Sequence, residues 1–261
     1  MLVACSDSAR PVLERAAAAF GLLYPEARVQ VVGDDSRGAF VRLSEQRAQV
    51  AVLARRLQPD EEGATGPGPL LTYRLAADAL AIVVHPANGI DSLDMGQLTA
   101  VLKGAVGSWE RLGGASLPII RVLRDRNSGT YEQLRQQVLA GGDFGPGVAC
   151  RDSREVVERV ASIPGAIGCV GLAWLGDPRV VTVRVASAAG QPAVRPTAAA
   201  VFQQRYPLRR PWVVCHWGGH GADVAAGFVA FLTSPRGQTV VEREGLVPDQ
   251  VPPRSIELTR R

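Results

Sequence analysis

The segment LVACSDSARPVLERAAAAFGLLY, residues 2–24, joins a short apolar run to a longer amphipathic one through a small polar turn. The run LVAC predicts a buried strand, and apolar residues then recur at three- and four-residue spacing, which predicts a helix from Pro11 to about Tyr24. The side chains expected on the inner face of that helix are Val12, Leu13, Ala16, Phe20 and Leu23. ARVQVV predicts a second strand, a second helix carries Phe40 and Leu43, and QVAVLA predicts a third strand. This β-α-β-α-β order predicts a parallel sheet flanked by helices.

The rest of the chain continues in the same α/β style. A Gly/Pro-rich loop, EEGATGPGP, precedes a strand predicted over DALAIVVH (residues 78–85), and further strands are predicted over PIIRVL, GAIGCVGLAWL, RVVTVRV and RPWVVCHW. Helices are predicted over SLDMGQLTAVLKG, SREVVERVAS, GADVAAGFVAFLTS and PRGQTVVEREGLVP. In the third of these, Val224, Phe228 and Phe231 are expected on one apolar face.

The composition excludes some classes of protein. The 261 residues are 46% hydrophobic and 21% charged, as in an ordinary folded protein. The net charge of +4, from 29 Lys and Arg and 25 Asp and Glu, is spread along the chain, and aromatic residues make up only 5%. The sequence therefore has neither a basic cluster nor a stacking platform, and no nucleic-acid partner is expected.

Three short polar turns each end where a predicted helix begins: CSDSARP, GDDSRG and RDRNSGT. In open α/β sheets such turns converge beyond the carboxyl ends of the strands, where ligands bind. Two interpretations stay open at this point. The small polar residues could simply cap their helices, or the helix N–H groups could be left free for an anion, with Arg124 as its counter-charge. The hydroxyls available to a tetrahedral oxyanion would be those of Ser6, Ser8, Ser36, Ser128 and Thr130.

Several phrases resemble the phosphate-binding proteins of bacterial ABC-type phosphate uptake systems: ADALAIVVHPANGIDSLDMGQLTAVLKG, SWERLGG, PIIRVLRDRNSGT, PGAIGCVGLAWL and SPRGQTVVEREGLVP. The resemblance covers nearly the whole chain, and Arg-x-x-x-Ser-Gly-Thr is its most specific signature. It implies an α/β, two-lobed periplasmic-binding-protein type II fold, in which each lobe is a mixed, mainly parallel sheet flanked by helices. One lobe would comprise residues 1–78 plus 212–261 and the other residues 79–211. The ligand would lie in the cleft between them, and the chain would cross near Ala76 and Arg210.

The same resemblance implies a function. Such proteins are not enzymes: they capture inorganic phosphate outside the cytoplasmic membrane and deliver it to the permease subunits of an ABC transporter. A monomer in the periplasm or at the cell surface is expected, with no cofactor, no metal and no catalytic residue. The alternatives are another tetrahedral oxyanion (sulfate, arsenate or molybdate) on the same fold, or a domain that senses phosphate.

The resemblance also implies a role for individual residues. Arg124 would place its guanidinium on phosphate, and the NSGT turn would cap its helix with the ligand rather than with its own side chains. Ser36 matches the serine that follows the second strand of the family, and the first turn holds two further candidates. The phosphate-binding residues so implied are Asp7, Ser8, Ser36, Arg55, Arg124, Ser128, Gly129 and Thr130.

Arg55 departs from the pattern of some family members, which place an aspartate after the third strand to accept the proton of hydrogen phosphate. A carboxylate acceptor rejects fully ionised sulfate, so its loss would blur the selectivity for phosphate. Asp7, Asp34 or Asp35 could restore it if one of them points inward. Cys5 also stands where the family usually has Gly.

Two rival functions have weaker support. GDDSRG misses the GxSxG spacing of a nucleophile elbow by one residue, which disfavours a hydrolase. Cys215, His216 and His220 are close in sequence, but the glycines at 218 and 219 break the helix that an i,i+4 histidine pair would need. Both histidines are therefore expected on a surface loop.

The cysteines Cys5, Cys150, Cys169 and Cys215 form neither a CxxC pair nor a zinc-finger pattern. Four buried thiols are expected, with a disulfide between Cys150 and Cys169 as the alternative in an oxidising compartment. The run LVAC also resembles the end of a lipoprotein cleavage site, which would attach a lipid to Cys5 and anchor the protein to a membrane. The strand is the favoured interpretation, with a leader missing from this chain.

Overall fold

The computed structural model describes residues 1–219 and 223–249. Their strands are β1 (Leu2–Ser6), β2 (Gln30–Asp34), β3 (Val50–Leu53), β4 (Leu70–Ala79), β5 (Ala81–Val84), β6 (Ser92–Asp94), β7 (Ile120–Arg124), β8 (Gly147–Cys150), β9 (Ala166–Val170), β10 (Val181–Thr182), β11 (Arg184–Ala186), β12 (Arg209–Trp217) and β13 (Val247–Pro248). Their helices are α1 (Arg10–Leu23), α2 (Ser36–Ser44), α3 (Pro59–Glu62), α4 (Met95–Lys103), α5 (Gly129–Leu139), α6 (Ser153–Ser162), α7 (Ala198–Phe202), α8 (Val224–Thr233) and α9 (Pro235–Arg243). The predicted α/β class is confirmed.

The first sheet has the strand order β13-β4-β12-β3-β1-β2. β1 pairs in parallel with both β2 and β3, which confirms the predicted β-α-β-α-β unit. The side chains of β1 alternate: Val3 and Cys5 pack in the core beneath α1, and Ala4 packs with the core residues of α2. This period of two lets one apolar strand support helices on both faces of the sheet.

The second sheet has the order β10-β5-β9-β7-β8. β7 is parallel to β8 and β9, whereas β5 runs antiparallel to β9. A separate two-stranded sheet pairs β6 with β11. The single strand predicted over RVVTVRV is wrong, because β10 and β11 belong to different sheets and Val183 separates them.

Two short links join the sheets. The single strand predicted over residues 78–85 is wrong: β4 ends at Ala79 in the first sheet, and β5 begins at Ala81 in the second. Leu80 lies between them, and its N–H donates to the carbonyl of Leu208 at 2.9 Å, just before β12 returns to the first sheet. Residues 79–84 are buried throughout, so the sequence carries no polar break at the point where the strand changes sheet.

The inner faces of α1 and α8 match the predictions except at their ends. Val12, Leu13, Ala16 and Phe20 are buried, but Leu23 is 40% exposed as the last residue of its helix. Phe228 and Phe231 are buried with their rings 5.2 and 5.4 Å from that of Phe20, whereas Val224 is 42% exposed at the first position of α8. Helical periodicity identifies a face, but the terminal turn of that face can extend past the core.

All four cysteines are free and buried, as expected, and the alternative Cys150–Cys169 disulfide is absent. Cys5 lies inside β1, paired on both sides, with no exposed surface. The strand interpretation of LVAC is therefore confirmed. The side chain of Cys5 lies in the core beneath α1. Within the described ranges, no helix is both long and apolar enough to span a lipid bilayer.

Burial also controls the reactivity of these thiols. It raises the pKa of Cys150 to about 11 and those of Cys169 and Cys215 to about 12, and it raises the pKa of Cys5 further. Because the thiolate is the reactive form, we expect the native protein to react with a thiol-specific disulfide reagent far more slowly than the urea-unfolded chain, which should release four equivalents at once. The colour released by the reagent measures both. A thiol that reacts as fast in the native protein as in the unfolded chain would contradict this burial.

Candidate functional site

Four strand-to-helix connections meet at one place between the two sheets. A single 3-10 turn, Asp7–Ala9, follows β1, and Ser36 begins α2 after β2. From the second sheet, Gly129 begins α5 after β7, and Ser153 begins α6 after β8. The contacts between these four connections define the candidate site.

Arg124 is the last residue of β7 and is only 4% exposed. Its Nε donates to the carbonyl of Cys150 at 3.3 Å, and its Nη2 donates to the carbonyl of Arg151 at 2.8 Å. Its Nη1 donates to Asp7 Oδ1 at 2.7 Å and reaches Ser153 Oγ at 3.4 Å. A guanidinium carries five N–H groups, so these bonds leave one N–H of Nη2 without a partner among the described residues.

Asp7 follows β1 of the first sheet and is hydrogen-bonded to residues at or just after the ends of strands of the second sheet. Besides Arg124, it accepts hydrogen bonds at Oδ2 from the N–H and the hydroxyl of Ser153, both at 2.8 Å. The carboxylate therefore sits at the N-terminus of α6, where the helix dipole favours negative charge. A carboxylate offers about four acceptor positions, and three of them are occupied, so Oδ1 can accept one more hydrogen bond.

The turn before α5 differs from the prediction that a ligand alone caps it. Ser128 is the N-cap residue, and its hydroxyl accepts the N–H of Thr130 at 3.2 Å. Thr130 Oγ1 in turn accepts a hydrogen bond from Arg210 at 2.7 Å. The helix thus has its own cap, because the small side chain of a serine reaches its second N–H without strain.

Gly129 brings the two sheets together beside these hydroxyls. A Cβ atom at this position would lie 2.5 Å from Ser36 Oγ and 3.3 Å from the carbonyl oxygen of Ala54. Ser36 itself is fully buried, and its hydroxyl accepts the N–H of Ala54 at 3.2 Å. Only a glycine permits this approach of α5 to the start of α2.

Ser8 is also fully buried in the first turn, where its hydroxyl lies 3.0 Å from that of Ser6. The two hydroxyls share one hydrogen bond, so one of them retains a proton for a further acceptor. The structure thus joins Arg124 to Asp7 and Gly129 to Ser36 by direct contacts, and Ser8, Ser128 and Thr130 are next to these residues in sequence.

Arg55 has a different partner from the one implied by the resemblance. Its guanidinium is only 3% exposed and makes two hydrogen bonds to the carboxylate of Glu61, at 2.6 and 2.8 Å. It also donates to the carbonyl of Arg56 at 2.9 Å. The residue still lines a cavity of about 260 Å³ opposite Arg126 and Asn127, but Glu61 neutralises its charge.

The three aspartates considered as replacement acceptors have distinct positions. Asp34 forms an ion pair with Arg42 at 2.8 Å, and Asp35 caps α2 by accepting the N–H of Gly38 at 2.6 Å. Asp7 alone of the three contacts Arg124.

Sequence reasoning missed Ser153, Glu61 and the buried pair formed by Asp78 and Arg210. A signal for Ser153 was present: CRDS at residues 150–153 repeats the pattern of CSDS at residues 5–8, and it too connects a strand to a helix. Glu61 lies in the short, polar helix α3, and nothing in its sequence marks the residue as buried.

The prediction that both histidines lie on a surface loop is wrong for His216. His216 lies in β12, only 6% exposed, with its ring stacked 6.1 Å from that of Tyr73, because the strand continues through Trp217. His220 lies outside the described residues. In the described part of the chain, no group of three or more His, Cys, Asp or Glu side chains could hold a metal ion.

This geometry agrees with comparisons to known proteins. Residues 1–236 match the model of the PBP superfamily domain, and the chain belongs to that superfamily. Its two α/β sheets with a cleft between them are the two-lobed fold of these binding proteins.

Individual relatives agree with this assignment. The chain is 26% identical over 254 residues to the phosphate-binding protein PstS of Bacillus subtilis, covering 95% of this chain and 80% of the relative. It is 29% identical over 263 residues to PstS of Pseudomonas aeruginosa, with 93% and 81% covered.

Solved structures share the fold. A protein of Clostridium perfringens described as a phosphate ABC transporter substrate-binding protein, solved with bound phosphate, superposes with a TM-score of 0.86 at 24% identity, covering 96% of this chain and 99% of that one. An ABC-type phosphate transport receptor of Vibrio cholerae gives a TM-score of 0.75 at 24% identity, with 95% and 99% covered.

The buried Arg55–Glu61 pair has a measurable effect on stability. In Glu61→Gln the guanidinium of Arg55 stays buried without a counter-charge, and we expect the free energy of unfolding in urea to fall by about 3 kcal/mol. The matched control is Asp60→Asn, which removes the exposed partner of Arg37 and should change the free energy of unfolding very little, because water screens an ion pair at the surface. Equal losses in the two variants would show that the buried pair contributes no more than the surface one.

The pair also makes stability depend on pH. Burial by itself raises the pKa of the Glu61 carboxyl, but hydrogen bonds from Arg55, from the N–H of Gln58 and from Arg37 outweigh it and hold that pKa below its usual range. The stabilisation is therefore complete above the ordinary glutamate pKa of about 4.3 and is lost as the pH falls through the lower folded-state value. In urea titrations from pH 7 to pH 3, the stability difference between the wild type and Glu61→Gln should shrink.

Proposed function

We propose that this protein captures inorganic phosphate in the cleft between its two sheets and delivers it to an ABC-type permease outside the cytoplasmic membrane. The observation that carries the proposal is the direction of the hydrogen bonds that three hydroxyls make at the candidate site. Those of Ser36, Ser128 and Thr130 each accept a hydrogen bond from an N–H group, so each keeps its own proton to donate. Together with the remaining N–H of Arg124, they form a set of donors suited to a tetrahedral oxyanion.

The relatives support the same ligand, since those named above are called phosphate-binding proteins. Their names support a binding protein rather than an enzyme. A monomeric state and a location in the periplasm or at the cell surface are part of the proposal. Closure would involve a hinge at the two links between the sheets. The lobes are proposed as residues 1–78 plus 212–261 and residues 79–211, and the links at Leu80 and Leu208 lie within a few residues of these boundaries.

Selectivity follows from Asp7. Its Oδ1 can accept one more hydrogen bond, and a hydrogen phosphate ion has a proton to donate, whereas sulfate at neutral pH has none. An unprotonated oxygen facing this carboxylate would be repelled. Asp7 would thus replace the acceptor aspartate that some family members have where this chain has Arg55, whose own charge is neutralised by Glu61.

The proposal is tested by calorimetric titration of the phosphate-stripped protein with phosphate and then with sulfate, at pH 6 and pH 8. Binding of phosphate with sulfate ignored supports both the function and the role of Asp7. Binding of both anions would support an oxyanion receptor and exclude selectivity for phosphate. No heat with either anion would overturn the proposed function.

Arg124 provides the first mutational test. Arg124→Ala should weaken phosphate binding about thirtyfold or more, because loss of a buried, charge-assisted contact costs about 2–5 kcal/mol. The matched control is Arg126→Ala, an exposed arginine of the same turn, which should change the dissociation constant by less than about threefold. Calorimetry gives both constants, and thermal unfolding confirms that the variants fold. Near-normal affinity in Arg124→Ala would remove this residue from the site.

Asp7→Asn tests the acceptor. The amide keeps the size of the side chain but can present an N–H where the proton of the ligand should be accepted, so phosphate should bind more weakly and sulfate equally or more tightly. Asp35→Asn is the matched control, because asparagine caps a helix as well as aspartate does. A parallel loss of affinity for the two anions in Asp7→Asn would exclude the acceptor role.

A further inference from the structure

Asp78 and Arg210 form an ion pair at the links between the sheets. They are direct partners in the register of β4 and β12, and they are 0% and 1% exposed. Arg210 donates from Nε and Nη2 to Asp78 Oδ2, at 3.0 and 2.7 Å. Two charges this deeply buried persist only when their remaining donors and acceptors are also satisfied.

The carboxylate of Asp78 is fully satisfied. Its Oδ1 accepts the N–H of Ala79 at 2.8 Å and that of Leu172 at 2.9 Å, so it bonds the end of β4 in one sheet and the turn after β9 in the other. Gly171 lets the ion pair pack directly against the backbone of this turn, because a Cβ there would lie 2.6 Å from Asp78 Oδ2 and 2.7 Å from Arg210 Nη2. The orientation of the Arg210 guanidinium is therefore fixed.

The third nitrogen of Arg210 reaches the candidate site. Nη1 donates to Thr130 Oγ1 at 2.7 Å, in the first turn of α5. A guanidinium has only donors, so the Thr130 hydroxyl must act as the acceptor in this bond. Its own proton then points elsewhere, and no acceptor for it is found among the described residues.

We propose that Arg210, held by Asp78, is a positioning residue that fixes the Thr130 hydroxyl as a donor towards the bound anion and couples the links between the sheets to the binding turn. The proposal rests on the proposed function for its ligand. Neither Asp78 nor Arg210 need touch the anion. Arg210 belongs to the first sheet and Thr130 to the helix that follows β7 of the second, so a change in the angle between the sheets moves the Thr130 hydroxyl relative to Arg210. Opening of the cleft and release of the ligand are thereby linked.

A double-mutant cycle on phosphate affinity tests this coupling. Thr130→Val removes the hydroxyl at constant shape, and the pair variant Asp78→Asn/Arg210→Gln removes both buried charges together, with a side chain too short to reach Thr130. Each should weaken phosphate binding about tenfold. Added to Thr130→Val, the pair variant should cost less than a further twofold, because the group through which it acts is already absent.

Two further variants keep the test informative. Thr130→Ser retains the hydroxyl, so in that background the pair variant should again cost about tenfold. Arg210→Lys keeps a positive charge beside Asp78 but loses the forked guanidinium that reaches both Asp78 and Thr130. This variant replaces the pair variant if thermal unfolding shows that the pair variant does not fold.

A second readout does not depend on phosphate. In the ligand-free protein, hydrogen–deuterium exchange of the amides of residues 129–132 should accelerate at least fivefold in the pair variant, while exchange in α1 stays unchanged. If the wild type fails to bind phosphate, the proposed function is wrong, and this exchange measurement still decides the positioning role. Equal losses of affinity from the pair variant in the wild-type and Thr130→Val backgrounds, or unchanged exchange at residues 129–132, would overturn it.

Discussion

The ion pair between Asp78 and Arg210 is the constraint on which the arrangement of the two sheets depends. Bringing two charges into a dry interior costs several kcal/mol for each ion, and here the cost is offset because every acceptor position of the carboxylate is filled. Those donors come from β4, from β12 and from the turn after β9. The pair therefore fixes the point at which the chain leaves one sheet and enters the other.

The same principle recurs around the cleft. The buried arginines in the described residues are Arg55, Arg124 and Arg210, and each is paired with a buried carboxylate, of Glu61, Asp7 and Asp78 respectively. The site consequently attracts an anion through oriented N–H and O–H donors more than through net positive charge. Donors that are already aligned need little reorganisation when the ligand arrives, which favours tight binding of a small ion.

Much of this fold could be predicted from the sequence because strand and helix periodicities differ clearly in the first half of the chain. The β-α-β-α-β unit and the turn at Arg124 carry strong local signals. The change of sheet at Leu80 does not, since a strand entering a second sheet stays apolar on both faces. The convergence of Arg124 with the first turn could be expected from the rule that ligands bind at the ends of parallel strands.

The partners of the buried charges could not be predicted. Glu61 is 6 residues from Arg55, but Asp78 is 132 residues from Arg210 and Ser153 is 146 residues from Asp7. Sequence spacing carries no information on such pairs. Whether Arg55 faces a ligand or a carboxylate depends on how the loop after β3 folds back, and its polar residues are equally compatible with a solvent-exposed loop.

The close approach of Gly129 to Ser36 also sets an upper limit on the size of what the closed cleft can hold. A Cβ atom at position 129 would already lie 2.5 Å from Ser36 Oγ, so a carbon substituent has no room to pass between these two helix starts. Esters of sugars or nucleosides, which present the same charged head group, would hold the two sheets apart. At the proposed site, the absence of one Cβ atom would thus favour a small free anion over its organic derivatives.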